Sequence, residues 1–374
     1  MGFSMPSLPV GNSAIREIGN RLTNRFHKPF SRVYYVTEPG NWSIAWDGQY
    51  ITRAVSQQAK IPCQTTLIYK GITNQIIHFG SRSAYLNYGM RNVDSSNKVV
   101  FTWFHGDDAD PNPDNQRMIK DAVESSHFVS KIVTSSSIGR ERLIHFGIPE
   151  SLITNTPLGI DLDMFSPGKE SDKEIMRNRL GIPDDSICIG SFQKDGVGWN
   201  EGLEPKLIKG PDLFLDTVER IAASRRIFVL LTGPARGYVK SGLEKLGVPY
   251  AHTYLNNYLD IVPYFRCLDL YLVTSRDEGG PKAILECMAT GIPIISSRVG
   301  MAPDIIQSGE NGFMVEVGDT EGVVLAAEQL MSDPNLRANI IANGIQTAVS
   351  YSWSSIAKRY FEEVYGPLLA KNSQ

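Results

Sequence analysis

Long apolar runs are missing from this chain. No window approaches 18 uninterrupted apolar residues, so no membrane-spanning helix is expected. The opening stretch MGFSMPSLPVGNSAIREIG lacks the continuous apolar segment of a secretory signal. In that setting the sequon Asn41-Trp42-Ser43 reads as chance. Cysteine is scarce. Cys63, Cys188, Cys267 and Cys287 form no Cys-x-x-Cys pair, and Cys188 and Cys267 sit inside apolar runs. This argues against a disulfide frame or a zinc site and for small core residues in a reducing compartment. An excess of basic charge is absent as well: the net charge is −3. Nothing therefore pulls the chain toward nucleic acid. There is no G-x4-G-K-[ST] phosphate loop. Gly196-Val197-Gly198 misses a dinucleotide fingerprint, because Gly202 comes one residue late. The expected location is cytoplasmic.

What is present is an alternation of short β-branched runs with amphipathic stretches over 374 residues, enough for two domains. Strands are expected at 32–36, 65–69, 75–79, 99–103 and 131–134, then at 186–191, 226–232, 268–274, 292–296 and 312–317. Helical patterns fall between them, as at 211–223. Such alternation predicts an α/β protein with parallel sheets covered by helices. The Pro-, Gly- and Asp-rich segment PLGIDLDMFSPGK, 157–169, is the expected joint. It divides a first domain, 1–165, from a second, 166–352. In the tail, Trp353, Ile356, Ala357, Tyr360, Phe361, Val364, Tyr365 and Leu368 recur at helical spacing and need a surface to bury against. A helix is also expected within 13–32, with Ile15, Ile18, Leu22 and Phe26 on one side and Arg16, Arg21, Arg25, Lys28 and Arg32 among its cations. The preferred reading packs it on the first domain with a solvated basic face. The alternative lays it on the inner face of an anionic membrane as a peripheral contact.

The most informative run is LDLYLVTSRDEGGPKAILECMATGIPIIS, 268–296. It decomposes into strand, loop, helix, turn and strand. Gly279 and Gly280 let backbone approach a ligand, and Pro281 suits a first helical turn. The amides of Lys282, Ala283 and Ile284 then form an anion cradle at a strand's carboxyl end. A carboxylate at Glu278 suits sugar hydroxyls, which donate hydrogen bonds. Glu286 lies eight residues on, two turns along, and reaches a ribose diol. The spacing therefore fits one acid per sugar ring with the diphosphate between them. Upstream, Lys194, Lys206 and Lys209 lie in a Gly- and Pro-rich loop. There they would stabilise the charge of a departing nucleoside diphosphate.

The Glu278-x7-Glu286 pair within EGGPKAILECMATGIPIISSRVG, followed by VGMAPDIIQSGENGFMVEVGD, resembles the motif of family-4 retaining glycosyltransferases of the GT-B fold. PLGIDLDMF and YSW continue the likeness, which spans about residues 90–365. The resemblance implies two Rossmann-like domains facing each other across a cleft, with a C-terminal helix, 353–374, crossing back to complete the first. It implies a nucleotide-sugar donor held by the second domain and an acceptor (a glycan, a lipid-linked sugar or a small molecule) held by the first. It further implies transfer with retention, no metal and no other cofactor. Glu278, Lys209 and His105 become catalytic. Lys206, Gly233, Gly279, Gly280, Lys282, Ala283 and Glu286 become donor contacts. The family's Gly-Arg-Leu is replaced by Gly190-Ser191-Phe192, so its arginine is absent, and Lys194 is expected to substitute; a solvated Lys194 is the alternative. A nucleotide-sugar epimerase of the same fold and a non-catalytic sugar-binding protein are the competing functions.

On the acceptor side, His105 follows the strand 99–103, where a side chain faces the ligand end of an α/β sheet. The resemblance places a donor-sugar contact there. Asp108-Ala109-Asp110 could be read as a cation site, but the following Pro111-Asn112-Pro113 fits a plain acidic loop, and no metal is expected. Trp42, Trp46 and Asp47, with Tyr50, are placed in the loop after the first strand. The aromatics would stack on a sugar acceptor there or serve as core.

Overall fold

The structure is a computed structural model that describes residues 13–24, 26–38 and 43–369. The chain divides into two compact units, Met1–Gly159 with Trp353–Gln374, and Ile160–Ser352. In the first unit the strands are β1 (Val33–Val36), β2 (Cys63–Thr66), β3 (Ile76–Phe79), β4 (Lys98–Trp103), β5 (Lys131–Thr134) and β6 (Ile153–Asn155). They form one sheet in the order β2-β1-β3-β4-β5-β6. Every pairing in it is parallel. The second unit contains β7 (Ile187–Phe192), β8 (Ile227–Thr232), β9 (Tyr250–Thr253), β10 (Leu270–Val273), β11 (Ile294–Ser297) and β12 (Phe313–Val315). Their order is β12-β11-β10-β7-β8-β9, again all parallel. Central strands such as VYYV and IFVLLT are buried along their whole length, as continuous apolar runs in a two-face-covered sheet require. Two Rossmann-like units of this kind constitute the GT-B fold.

Five helices frame the regions discussed below: α1 (Ser13–Asn24), α2 (Ser43–Ala59), α3 (Pro211–Ala222), α4 (Ala283–Thr290) and α5 (Trp353–Arg359). Two features depart from expectation. Residues 43–59 form helix α2 and not a loop, and strands β6 and β9 carry too few apolar residues to be read from pattern. The tail is also not one uniform helix. After α5 the chain widens into a π-helical turn, Tyr360–Tyr365, and finishes with Gly366–Leu369.

The tail packs inside the first unit. Trp353 stacks on Tyr50 of α2, with ring centroids 5.2 Å apart and 4° between planes. A Cβ on Gly159 would lie 2.5 Å from the Trp353 ring, so glycine is required for the approach. Gln58 donates to the Ser354 carbonyl at 2.8 Å, and Arg359 donates to the Asn155 carbonyl at 2.7 Å. The π-helical turn brings Tyr365 to His78 on β3. The Tyr365 hydroxyl lies 2.7 Å from His78 Nδ1, and Thr102 lies 2.9 Å from Nε2.

Complete burial lowers the His78 pKa to about 3. A histidine whose folded pKa is depressed contributes stability above its unfolded pKa, near 6.5. That stability is lost as the pH falls toward the folded value. Acidification from pH 6 to pH 4 should therefore destabilise the first unit by roughly 1.4 kcal/mol per pH unit through this group. His78→Gln should flatten that part of a melting-temperature profile. An unchanged slope in the variant would show that His78 is not the group responsible.

Candidate functional site

In a parallel α/β sheet, ligands bind beyond the carboxyl ends of the strands, where the strand order reverses. In the second unit the reversal falls between β7 and β10, which pair directly through Ile189 and Leu270. The loops leaving these two strands, 193–210 and 274–282, carry most of the residues singled out on the donor side.

Several contacts stitch the two loops together. Gly210 has φ +63°, and a Cβ there would meet the Thr274 carbonyl oxygen at 1.9 Å, so only glycine fits. Thr274 Oγ1 donates to the Gly210 carbonyl at 2.9 Å. The Arg276 amide donates to the Ile208 carbonyl at 2.8 Å, and its guanidinium makes a bidentate pair with Asp212, at the start of α3, at 2.8 and 2.7 Å. Gln193 donates to the Lys209 carbonyl at 3.0 Å. These clamps bring Lys209 Nζ to 2.6 Å from Glu278 Oε2, with both side chains largely shielded from solvent. Ser275 Oγ donates to the other Glu278 oxygen at 2.8 Å. The paired lysine and glutamate thus sit where the strand order reverses.

Around them the local charge is positive. Burial, then the neighbouring Lys209 and Lys194, lower the Lys206 pKa. A group of ammonium ions that disfavour one another is a site predisposed to an anion. Lys194 lies 3.7 Å from the centre of the Trp199 ring. Gly233 follows β8 with φ +92°, and its carbonyl accepts from His252 at 2.8 Å.

Helix α4 opens beside this site. Gly279 is buried and Gly280 partly exposed, and Lys282 is the residue at which α4 begins. The amide of Ile284 is not part of an outward cradle, because it donates to the Pro281 carbonyl at 3.1 Å. Lys282 is the cap residue of α4 and Ala283 opens its first turn. Glu286 is buried and accepts a short hydrogen bond from Tyr258, over whose ring Lys282 Nζ lies at 4.7 Å. Glu278 and Glu286 thus each have a positioning hydroxyl, Ser275 and Tyr258 respectively. Neither hydroxyl stood out in sequence, since Ser and Tyr are common and the Tyr258 contact spans 28 residues.

Sequence reading also missed a buried charge pair that ties the lysine loop to the loop after β8. Arg236 and Asp195 are both fully buried, 2.9 Å apart. Arg236 also donates to the carbonyls of Ser191 and Thr232 at 2.6 and 2.8 Å, and to Ser191 Oγ at 3.1 Å. An arginine therefore does meet the Gly190-Ser191-Phe192 strand end, but it comes from the loop after β8 and lies wholly inside the protein.

In the first unit His105 follows β4 and is exposed. Gly106 has φ +133°, and a Cβ there would lie 2.0 Å from an Arg82 nitrogen. The carboxylates of this acidic loop, Asp108 and Asp110 considered for a cation among them, are engaged elsewhere. Asp107 pairs with Arg142 at 2.7 Å, Asp108 with His145 at 3.0 Å, and Asp110 accepts from the Asn112 amide at 3.0 Å. Among the described residues no cluster of three or more His, Cys, Asp or Glu could hold a metal ion. Of the two readings of the acceptor-side aromatics, Trp46 takes the core one. Trp46 and Asp47 lie on α2 and are buried, because the helix turns both into the unit, so the Trp46 ring is not available for stacking on a sugar. Trp42 lies outside the described residues. Cavities of about 240 and 470 Å³ open at the opposite, amino-terminal end of β10, around Asp269 with its partners Lys173 and Arg177. They are not part of this site.

The fold and the switch-point site define a GT-B protein. Residues 203–347 match the family model described as glycosyl transferases group 1. The chain is 27% identical over 241 residues to a D-inositol 3-phosphate glycosyltransferase of Stackebrandtia nassauensis, covering 60% of this chain and 52% of that one. It is 30% identical over 220 residues to the protein of the same name in Corynebacterium urealyticum, covering 54% and 49%. The chain thus spans about half the length of the curated relatives it matches. Among solved structures it is similar to Anabaena Alr3699/HepE in complex with UDP-glucose, with a TM-score of 0.72 and 17% identity over 91% of this chain and 99% of that one.

Proposed function

We propose that this protein is a retaining glycosyltransferase that moves a sugar from a nucleoside-diphosphate sugar to an acceptor hydroxyl. One observation carries the reading: Lys209 and Glu278 meet at 2.6 Å where the strand order of the second unit reverses, beside the start of α4. A paired ammonium and carboxylate suits a donor that is anionic at its diphosphate and rich in hydroxyls at its sugar. In this reading Lys209, with Lys206 and Lys194, neutralises the departing diphosphate. Glu278, oriented by Ser275, accepts hydrogen bonds from sugar hydroxyls. Glu286, oriented by Tyr258, holds the ribose diol. The first-turn positions of α4 and the Gly279-Gly280 turn receive phosphate oxygens. His105 is assigned a donor-sugar contact. The likeness to the group 1 glycosyl transferases and to a UDP-glucose complex supports the donor class.

The experiment is a thermal-shift screen against uridine, guanosine and adenosine diphosphates and their sugars. A ligand that binds only the folded state raises the melting temperature. One base should shift it clearly, and that donor should then be consumed in the presence of EDTA with retention at the anomeric carbon, read by proton NMR of the product. No shift with any nucleotide overturns the enzyme reading. Inverted product overturns retention, and activity lost to EDTA overturns the metal-free reading.

A further inference from the structure

Helix α1 is mounted the wrong way round for a core element. Its polar side faces the protein: Asn20 donates to the carbonyls of Ile68 and Lys70 at 3.2 and 3.0 Å, and Asn24 to that of Thr73 at 2.6 Å. The Glu17 carbonyl lies so close to Gly71 that a Cβ there would be 2.6 Å from it. The apolar stripe faces outward. Ile15, Ile18 and Leu22 are 64%, 57% and 56% exposed, and Phe26 just beyond the helix is 88% exposed. This reverses the packing preferred from sequence. Residues 15, 18 and 22 recur every three or four positions, so they form one continuous face. Glu17, Asn20 and Asn24 occupy the other, where the two asparagines satisfy backbone carbonyls of the loop before β3.

An outward apolar stripe needs an apolar phase, and the charges around it say which. Residues 13–32 hold five cations, Arg16, Arg21, Arg25, Lys28 and Arg32, against the single anion Glu17, in a chain whose net charge is −3. Arg16, Arg21 and Lys28 are exposed. Glu17 is paired with Arg21 at 2.7 Å, which leaves Arg16 and Lys28 as the flank that Glu17 does not neutralise. We propose that α1 is an interfacial anchor that seats Ile15, Ile18, Leu22 and Phe26 in the headgroup boundary of an anionic bilayer, with Arg16 and Lys28 on the lipid phosphates. Such a helix lies in the membrane plane and holds the first unit at the surface. Among the described residues no helix is long and apolar enough to cross a membrane, so the attachment is peripheral.

The test is co-sedimentation with vesicles of phosphatidylcholine alone or with roughly one-third phosphatidylglycerol. The protein should pellet with the anionic vesicles and stay in solution with the neutral ones. Ile18→Asp combined with Leu22→Asp should abolish pelleting while leaving the melting temperature unchanged, because both side chains already face solvent. Arg16→Gln combined with Lys28→Gln should weaken binding about fivefold per charge removed, and this pair reads the proposal even if the first fails to fold. Failure of the wild type to bind anionic vesicles overturns the anchor. So does binding by both double variants equal to that of the wild type. A large fall in melting temperature in a folded Ile18→Asp/Leu22→Asp variant would overturn it too, by showing that the chain's own residues cover the stripe. A dimer in light scattering that this variant disperses would instead assign the stripe to a second copy.

Discussion

Replacing Lys209 with alanine should lower donor turnover by a factor of roughly 10² to 10³, the cost of removing one electrostatic contact to a charge that develops in the transition state. Glu278→Gln should cost a comparable factor for a different reason. It keeps the shape and one acceptor oxygen but removes the charge that binds both the ammonium and the sugar hydroxyls. The two side chains touch each other at 2.6 Å, so their effects should not add. The double variant should be only slightly slower than the worse single variant. A double-mutant cycle on kcat/KM checks this: simple additivity would mean that the two groups act on separate parts of the donor. Ser275→Ala should give a smaller loss of the same kind, since it removes only the hydroxyl that orients Glu278.

Asp195→Ala should strongly destabilise the second unit. It strands the Arg236 guanidinium, fully buried, without its counter-charge. Breaking a buried pair by removing one partner costs about 3–5 kcal/mol, because the remaining charge is left uncompensated in a poorly polarisable interior. For a unit of this size the melting temperature should fall on the order of 10 °C. Arg236→Met combined with Asp195→Ala should recover most of the loss, because neither charge is then stranded. Calorimetry of the single and double variants decides it. If the double variant is no better than Asp195→Ala, the role of Arg236 is to hold the carbonyls of Ser191 and Thr232, and its charge balance is secondary. In either case Asp195 belongs to the loop that carries Lys194, Lys206 and Lys209, so donor affinity should fall with it.

The parallel sheets and the Glu278–Glu286 helix were legible because their signals are local. An apolar run of a few residues reports a buried strand. Gly-Gly-Pro ahead of an apolar stretch reports a helix start, and Gly291 its end. Lys209 was singled out by its Gly- and Pro-rich loop and by the family resemblance. The Asp195–Arg236 pair was not, since its members are 41 residues apart and look like any surface acid and base. Trp46, Asp47 and Tyr50 were placed in a loop after the first strand, yet they lie on α2, whose inner face carries Trp46, Ile51 and Val55.

Amphipathic periodicity in 13–24 settled that a helix forms there, because the hydrogen-bonding repeat and the spacing of apolar residues depend only on neighbours along the chain. Which face it turns inward was left to the tertiary structure. Asn20 and Asn24 meet backbone carbonyls of the loop before β3, so the polar side turns inward and Ile15, Ile18 and Leu22 turn outward. The site divides in the same way. Residue types and spacing named the carboxylates and lysines within their own loops. Only the pairing of β7 with β10 set Lys209 against Glu278, because sheet order follows from long-range packing that no local window contains.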